Sequence, residues 1–136
     1  MDLGLRGKVA IVTGGGSGIG QQIALDMAAE GAITIVADLN AENAAQTASL
    51  AGADAHARTL DVTSFDNAQA LVNSVVEEFG GVNILVNCAG AWRAGLFTES
   101  TPDDWAFEVN VCLMGVINCT RAVLDPMITN GGGKIV

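Results

Sequence analysis

The stretch TGGGSGIG at residues 13–20 constrains the fold more than any other part of the sequence. It joins an unbroken apolar run, VAIV at 9–12, to an amphipathic repeat that starts at Ile19. Glycine alone lets a chain leave a strand, turn sharply and enter a helix with its backbone open to an approaching group. A glycine string by itself also serves plain turns, so the evidence lies in its place between strand and helix, where helix-start N–H groups can meet an anion. The spacing Gly14, Gly18, Gly20 reads G-x-x-x-G-x-G.

Two periodicities alternate through the rest of the chain. The short apolar runs VAIV, ITIVA (33–37) and ILV (84–86) suit strands covered on both faces, and HARTLDV (56–62) reads as a weaker strand. Helical patterns separate them. Ile19, Ile23 and Met27 recur every four residues, with Gly31 placed for a C-cap. Ala41 to Ala51 forms a small-residue helix, and Ala68, Leu71, Val72, Val75, Val76 and Phe79 make a stripe ended by Gly80 and Gly81. TPDDW opens a last long helix, with Thr101 as N-cap, Pro102 in the first turn, and Asp103 and Asp104 against the positive end of its dipole. Capping, rather than an acid/base couple, is the expected role of these two acids, because adjacent helical residues do not face each other. That helix is predicted to run through Trp105, Val109, Leu113, Val116 and Val123 to about Met127.

Strict strand-helix alternation predicts an α/β fold, a doubly wound parallel sheet with right-handed crossovers, as one domain over residues 1–136. A fifth strand opens at Lys134 in GGGKIV and has only three residues, fewer than the five or six of an ordinary strand. The expectation is a domain cut short in strand five.

The net charge is −9, from 15 acidic and 6 basic residues, with no cluster of Lys or Arg. Nucleic acid and anionic membrane surfaces are therefore unexpected partners. Unbroken apolar stretches fall far short of the roughly 20 residues that span a bilayer, and the N-terminus carries no cleavage signature, so a cytoplasmic location is expected. Cys88, Cys112 and Cys119 lack CxxC spacing and share the chain with a single histidine. No metal site is expected, and each cysteine reads as a small buried hydrophobe.

Asp38 ends the second strand at about the distance downstream of the glycine turn at which a dinucleotide site sets an acid on the adenosine ribose. The alternative is an Asp that caps the helix from Ala41. As a ribose ligand it would accept from the 2′- and 3′-hydroxyls and repel a 2′-phosphate, and neither Leu39 nor Ser17 supplies a compensating positive charge. NAD is thus expected in preference to NADP. Asn110 falls inside the last helix, where Asn competes for backbone hydrogen bonds, so either a local kink with a bound water or a side chain turned to solvent is expected.

With TGGGSGIG, Asp38, LDV (60–62), NCAG (87–90) and Asn110 in this order, the chain resembles the short-chain dehydrogenase/reductase family from about Lys8 to its last residue. The resemblance implies a Rossmann-type sheet of order 3-2-1-4-5. It implies that Gly14, Gly18, Ile19 and Gly20, with Ser17 nearby, hold the pyrophosphate, and that Asp38 holds the adenosine ribose. Asp61 and Val62 would meet the adenine, and Asn87, Ala89 and Gly90 would line the ribose side at the end of strand four. Cys88 stands where a second Asn is usual. Asn110 would hold a water of the proton relay as the one catalytic residue present. The Ser and the Tyr-x-x-x-Lys of similar enzymes have no counterpart, since the chain has no tyrosine and its only lysines are Lys8 and Lys134.

The implied activity is hydride transfer between NAD and a hydroxyl or carbonyl of a small alcohol or carbonyl substrate, in a full-length form that is a homo-oligomer. The catalytic and substrate-binding part would then be absent from this chain, which retains mainly dinucleotide binding. The alternative is a non-catalytic NAD-binding module functional at this length. Trp92 and Arg93 are either substrate contacts or ordinary loop residues. His56, on the third strand, is expected to stand far from the chemistry.

Overall fold

The computed structural model describes residues 2–136. Its first strand, β1 (Val9–Thr13), is buried at every position, as a central strand covered on both faces must be. Beside it lie β2 (Ile33–Asp38), β3 (Ala55–Thr59), β4 (Ile84–Asn87) and β5 (Lys134–Ile135). The pairings are parallel and the order is β3-β2-β1-β4-β5, so the sheet is the doubly wound Rossmann type. The crossovers carry α1 (Gly18–Ala29), α2 (Ala41–Ala51), α3 (Phe65–Phe79), α4 (Pro102–Val109) and α5 (Gly115–Thr129).

Alternation along β1 divides the core into two layers. Val9 and Ile11 join Leu71, Val72 and Val75 of α3 and Cys119 and Val123 of α5. Ala10 and Val12 join Ala24 of α1 and Ala44 and Ala48 of α2, where small side chains let the helices lie close to the sheet. Ile11, Val12, Ile35, Val36 and Leu85 are no more than 1% exposed, and each such side chain contributes about 1.5–3 kcal/mol of burial.

Three expectations are corrected. First, β3 stops at Thr59: the Leu60 N–H makes the last bond to β2, donating to the Asp38 carbonyl at 2.9 Å, and Asp61 then opens a turn. Residues 60–62 are therefore loop, although Leu60 and Val62 still bury their side chains. Second, the helix from Thr101, which carries the irregularity expected at Asn110 as a π-helical turn over Asn110–Met114, does not bury most of the stripe read for it. Its bulky stripe faces outward: Trp105, Val109, Leu113 and Val116 are exposed, while Gly115, Asn118, Cys119, Ala122, Val123 and Met127 face the sheet. Residues 102–129 are apolar and long enough to cross a membrane by length and composition, with mean hydropathy 1.4, but the inner face of α5 is core. Third, Cys119 alone is fully buried; Cys88 is half-buried and Cys112 exposed.

The capping expectation holds. The Asp104 N–H donates to Thr101 Oγ1 at 3.4 Å and the Thr101 N–H donates to Asp104 Oδ2 at 2.9 Å, a reciprocal capping box. The Thr101 N–H and the Thr101 hydroxyl, both donating to Asp104 Oδ2, with a smaller effect of nearby Arg93, hold the Asp104 carboxyl below its usual range.

Candidate functional site

A cleft of about 880 Å³ opens at the carboxyl ends of the strands, where the connections after β1, β2, β3 and β4 converge. In an open parallel sheet this is the topological switch point at which ligands bind.

Its floor is the glycine turn. Gly14 takes φ +64°, and a Cβ there would stand 2.8 Å from the Ala89 Cα, so the turn packs directly on the backbone leaving β4. A Cβ on Gly20 would collide with the Gly14 carbonyl. The turn thus tolerates no side chain at either place and leads the first N–H groups of α1, at Gly18, Ile19 and Gly20, to the cleft. Ser17 is the N-cap, but its hydroxyl makes no capping bond and is free to meet a ligand. Unspent N–H donors at a helix start, an uncommitted hydroxyl and close backbone approach suit a phosphate-bearing ligand.

Asp38 closes the next side. Its Oδ1 accepts from the Asn40 N–H and its Oδ2 from the Gly16 N–H, both at 2.9 Å. A carboxylate has about four acceptor positions, so two remain for a ligand with vicinal hydroxyls. The cap of α2 is not Asp38 but Asn40, whose Oδ1 accepts from the Asn43 N–H. At the far wall, Asp61 Oδ1 accepts from the Thr63 N–H and hydroxyl, and the Asp61 N–H donates to Asn67 Oδ1. Val62 is fixed by a buried link, Asn118 Nδ2 donating to its carbonyl at 2.9 Å.

Eleven of the twelve residues anticipated from the sequence line this cleft: Gly14, Ser17, Gly18, Ile19, Gly20, Asp38, Asp61, Val62, Ala89, Gly90 and Asn110. Ile19, expected on the apolar stripe of α1, instead points out at 76% exposure, while Ile23 and Met27 pack on the core. Asn87 is the exception. Its Nδ2 is directed to the Val136 carbonyl at 3.3 Å and Thr120 Oγ1 at 3.5 Å, so its side chain braces β4 against β5 and α5 rather than facing the cleft. Asn110 opens the π turn, and its carbonyl accepts from the Gly115 N–H. The expected irregularity is present, with the side chain exposed at the rim.

Thr13 was missed by sequence reasoning. It is 1% exposed, and its Oγ1 accepts from the Cys88 and Ala89 N–H groups, each at 3.1 Å, which seats the β4 exit loop. The signal was a buried polar residue at the last position of a strand otherwise apolar. Leu39, Trp92 and Phe107 also line the cleft. Arg93 turns the other way, 3.4 Å from Asp104 and 4.7 Å above the Phe107 ring. His56 packs on Phe79 at 4.9 Å between ring centroids, away from the cleft. Among the described residues no group of three or more His, Cys, Asp or Glu could hold a metal.

Fold and cleft together define a Rossmann-type protein whose first glycine turn has the geometry to suit an anionic, phosphate-bearing ligand. The sequence profile of the short chain dehydrogenase family matches residues 8–136, and the chain belongs to that family. It is 41% identical to D-threitol dehydrogenase of Mycolicibacterium smegmatis over 99% of its own length and 53% of the relative's. It is 38% identical to acetoacetyl-CoA reductase of Allochromatium vinosum, over 95% of this chain and 54% of that one. The crystal structure of an NAD+-bound xylitol dehydrogenase superposes with a TM-score of 0.91 at 33% identity, covering 96% of this chain and 52% of the other. The chain thus spans about half the length of the relatives it matches.

Proposed function

We propose that the protein is an NAD-dependent oxidoreductase that moves a hydride between the nicotinamide and the hydroxyl or carbonyl carbon of a small alcohol or carbonyl substrate. These 136 residues supply its cofactor-binding part. The observation that carries the reading is Asp38, a carboxylate with two acceptor positions free, set beside unspent N–H donors at the start of α1.

The chain's residues divide the work. The N–H groups of Gly18, Ile19 and Gly20 and the Ser17 hydroxyl hold the pyrophosphate over the turn that Gly14 makes possible. Asp38 accepts from the adenosine 2′- and 3′-hydroxyls and repels a 2′-phosphate, which favours NAD over NADP. Asp61 and the Val62 N–H meet the adenine. Ala89 and Gly90 flank the second ribose, with Asn87 acting from behind. Asn110 holds a water at the reacting end through its carbonyl. The bound nicotinamide supplies the hydride chemistry. The tyrosine that serves as the acid/base group for the substrate oxygen in similar enzymes has no counterpart among these residues. The outward apolar residues of α4 and α5 support a homo-oligomer, and the acidic charge supports a cytoplasmic protein without nucleic-acid or membrane partners.

Titration of NADH and NADPH by fluorescence tests the cofactor assignment. Asp38→Ala is expected to weaken NADH roughly 10- to 100-fold, the range for a hydrogen-bonded charged group, and to leave NADPH nearly unchanged. An equal loss for both would refute the ribose assignment.

A further inference from the structure

Lys8 and Lys134, the chain's only lysines, lie far apart in sequence, and the cleft uses neither. The sheet brings them together at its amino end, the pole opposite the cleft. Lys8 extends the β1 ladder, its carbonyl accepting from the Ile33 N–H at 2.9 Å, and Lys134 opens β5. Lys134 stands in register with Ile84, and Ile84 with Ala10, two residues beyond Lys8. Side chains alternate along a strand, so both lysines leave the same face of the sheet, separated across β4 by two strand spacings, roughly 10 Å. They line one pocket of about 460 Å³. Between them, Asn83 Oδ1 accepts from the Val9 N–H at 2.9 Å, which leaves its Nδ2 without a partner among the described residues. The Gly133 N–H has none either. The glycine turn lies close on Asn83, since a Cβ at Gly133 would stand 3.0 Å from the Asn83 carbonyl oxygen. Among the described residues no Asp or Glu lines this pocket, and the ion pairs use Arg58, Arg93 and Arg121, so neither lysine is neutralised. In a chain of net charge −9, two uncompensated positive charges share one hollow with two unspent N–H donors.

We propose that this pocket is an anion site for a phosphate group, free or carried on a small molecule. Lys8 and Lys134 supply charge from either side, and Asn83 Nδ2 and the Gly133 N–H supply hydrogen bonds between them. A phosphate group suits such a set because its several oxygens accept from donors that arrive from different directions, and lysine meets it as a compact point charge. The donors come from the start of β1, the approach to β4 and the turn before β5. A bound phosphate therefore ties three strands at their amino ends and secures β5, which pairs with β4 alone among the described strands. The site stands apart from the cleft and does not depend on what the cleft binds.

Amide shifts of isotope-labelled protein test the assignment, in titrations with inorganic phosphate and with glycerol phosphate, each set against chloride at equal ionic strength so that screening is constant. Saturable shifts are expected at the Asn83 side-chain amide, Gly133 and Lys134. Lys8→Gln and Lys134→Gln should each weaken binding roughly fivefold, the scale of one exposed charged contact, and the double variant should lose saturation there. Lys8→Arg, which keeps the charge, should retain binding. Both lysines are exposed, so the variants are expected to fold, and phosphate should raise the thermal midpoint of the wild type more than that of the double variant. Equal affinity for the two probes assigns the site to free phosphate, and tighter glycerol phosphate assigns it to a phosphorylated small molecule. Shifts confined to residues 14–20, where the cleft would take the same anion, overturn the proposal. So does saturation at Asn83 and Gly133 that chloride reproduces or that persists unchanged in the double variant.

Discussion

The two sides of the cleft are built differently. On the β1–β2 side, the polar side chains that shape the ligand surface, the Ser17 hydroxyl excepted, are tied to backbone: Asp38 to Gly16 and Asn40, Asn40 to Asn43, and Thr13 to Cys88 and Ala89 across the sheet. On the far side, α4, the π turn and α5 present Trp105, Val109, Leu113 and Val116 to solvent, and the β5 positions are exposed. The first side is a frame completed by its own residues. The second keeps large apolar surface uncovered, as interaction surfaces do. A dinucleotide needs fixed donors at one end, whereas a substrate end gains from surfaces that other segments or subunits can complete.

The largest expected effect would break the first side. Thr13→Val keeps the shape of the side chain but removes the acceptor shared by the Cys88 and Ala89 N–H groups. Leaving these donors unpaired should cost about 2 kcal/mol or more and lower dinucleotide affinity by loosening the β4 exit loop. Leu113→Asn on the opposite side should change stability by no more than about 0.5 kcal/mol, because Leu113 is more than half exposed, while reducing self-association. Urea unfolding and sedimentation velocity on both variants read the contrast. Equal destabilisation by the two substitutions would erase the distinction between frame and open face.

The first side was also the more legible in sequence. Its strands are mostly apolar because both faces are covered, and Gly14, Gly18 and Gly20 can be read from position alone. The open side misled for two physical reasons. Periodicity selects bulky residues, so Trp105, Val109, Leu113 and Val116 stood out, but close packing of α5 on the sheet selects small ones, Gly115, Cys119 and Ala122. A Cβ at Gly115 would come 2.7 Å from Val62 Cγ2, so the start of α5 lies directly on the loop that follows β3. Nor can a residue's type give its direction. Asn87 and Asp38 both end strands with a polar group, yet only the longer-range partners, Val136 and Thr120 for one and Gly16 for the other, decide which faces the cleft. Leu60 and Val62 looked like strand because they are apolar, but β2 ends at Asp38, so beyond the Leu60 N–H no neighbouring strand remains to pair with.

A smaller effect sharpens the comparison through the cysteines. Burial pushes the Cys119 thiol up to about 11, and at 4% exposure it is shut into the core beside Val123. Cys112 lies exposed on the π turn, its thiol donating to the Ala91 carbonyl at 3.2 Å. Because the thiolate is the reactive form, an alkylating reagent at mild pH should label Cys112 in the native protein and reach Cys119 only after unfolding. Peptide mass mapping distinguishes them. Native labelling of Cys119 at the rate of Cys112 would mean that α5 leaves the sheet and that its inner face is no firmer than its outer one.

The smallest effect concerns where the open side begins. Asp104 is held below its ordinary pKa chiefly by the Thr101 N–H and hydroxyl, with Arg93 adding to it. A carboxyl lowered on folding contributes stability above its unfolded value, and that contribution is lost as pH falls through the folded value. The window therefore lies below about pH 4, where an unperturbed Asp protonates. Amide exchange at residues 101–105 should quicken there before the β1–β2 region responds, because Asp104 sits at a helix start on the surface and the strands lie in the core. Asp104→Asn should flatten that pH dependence locally and leave β1 protection unchanged. Simultaneous loss of protection in α4 and β1 on acidification would show instead that the two sides of the cleft open as one unit, and that the fixed frame depends on the face it was thought to support.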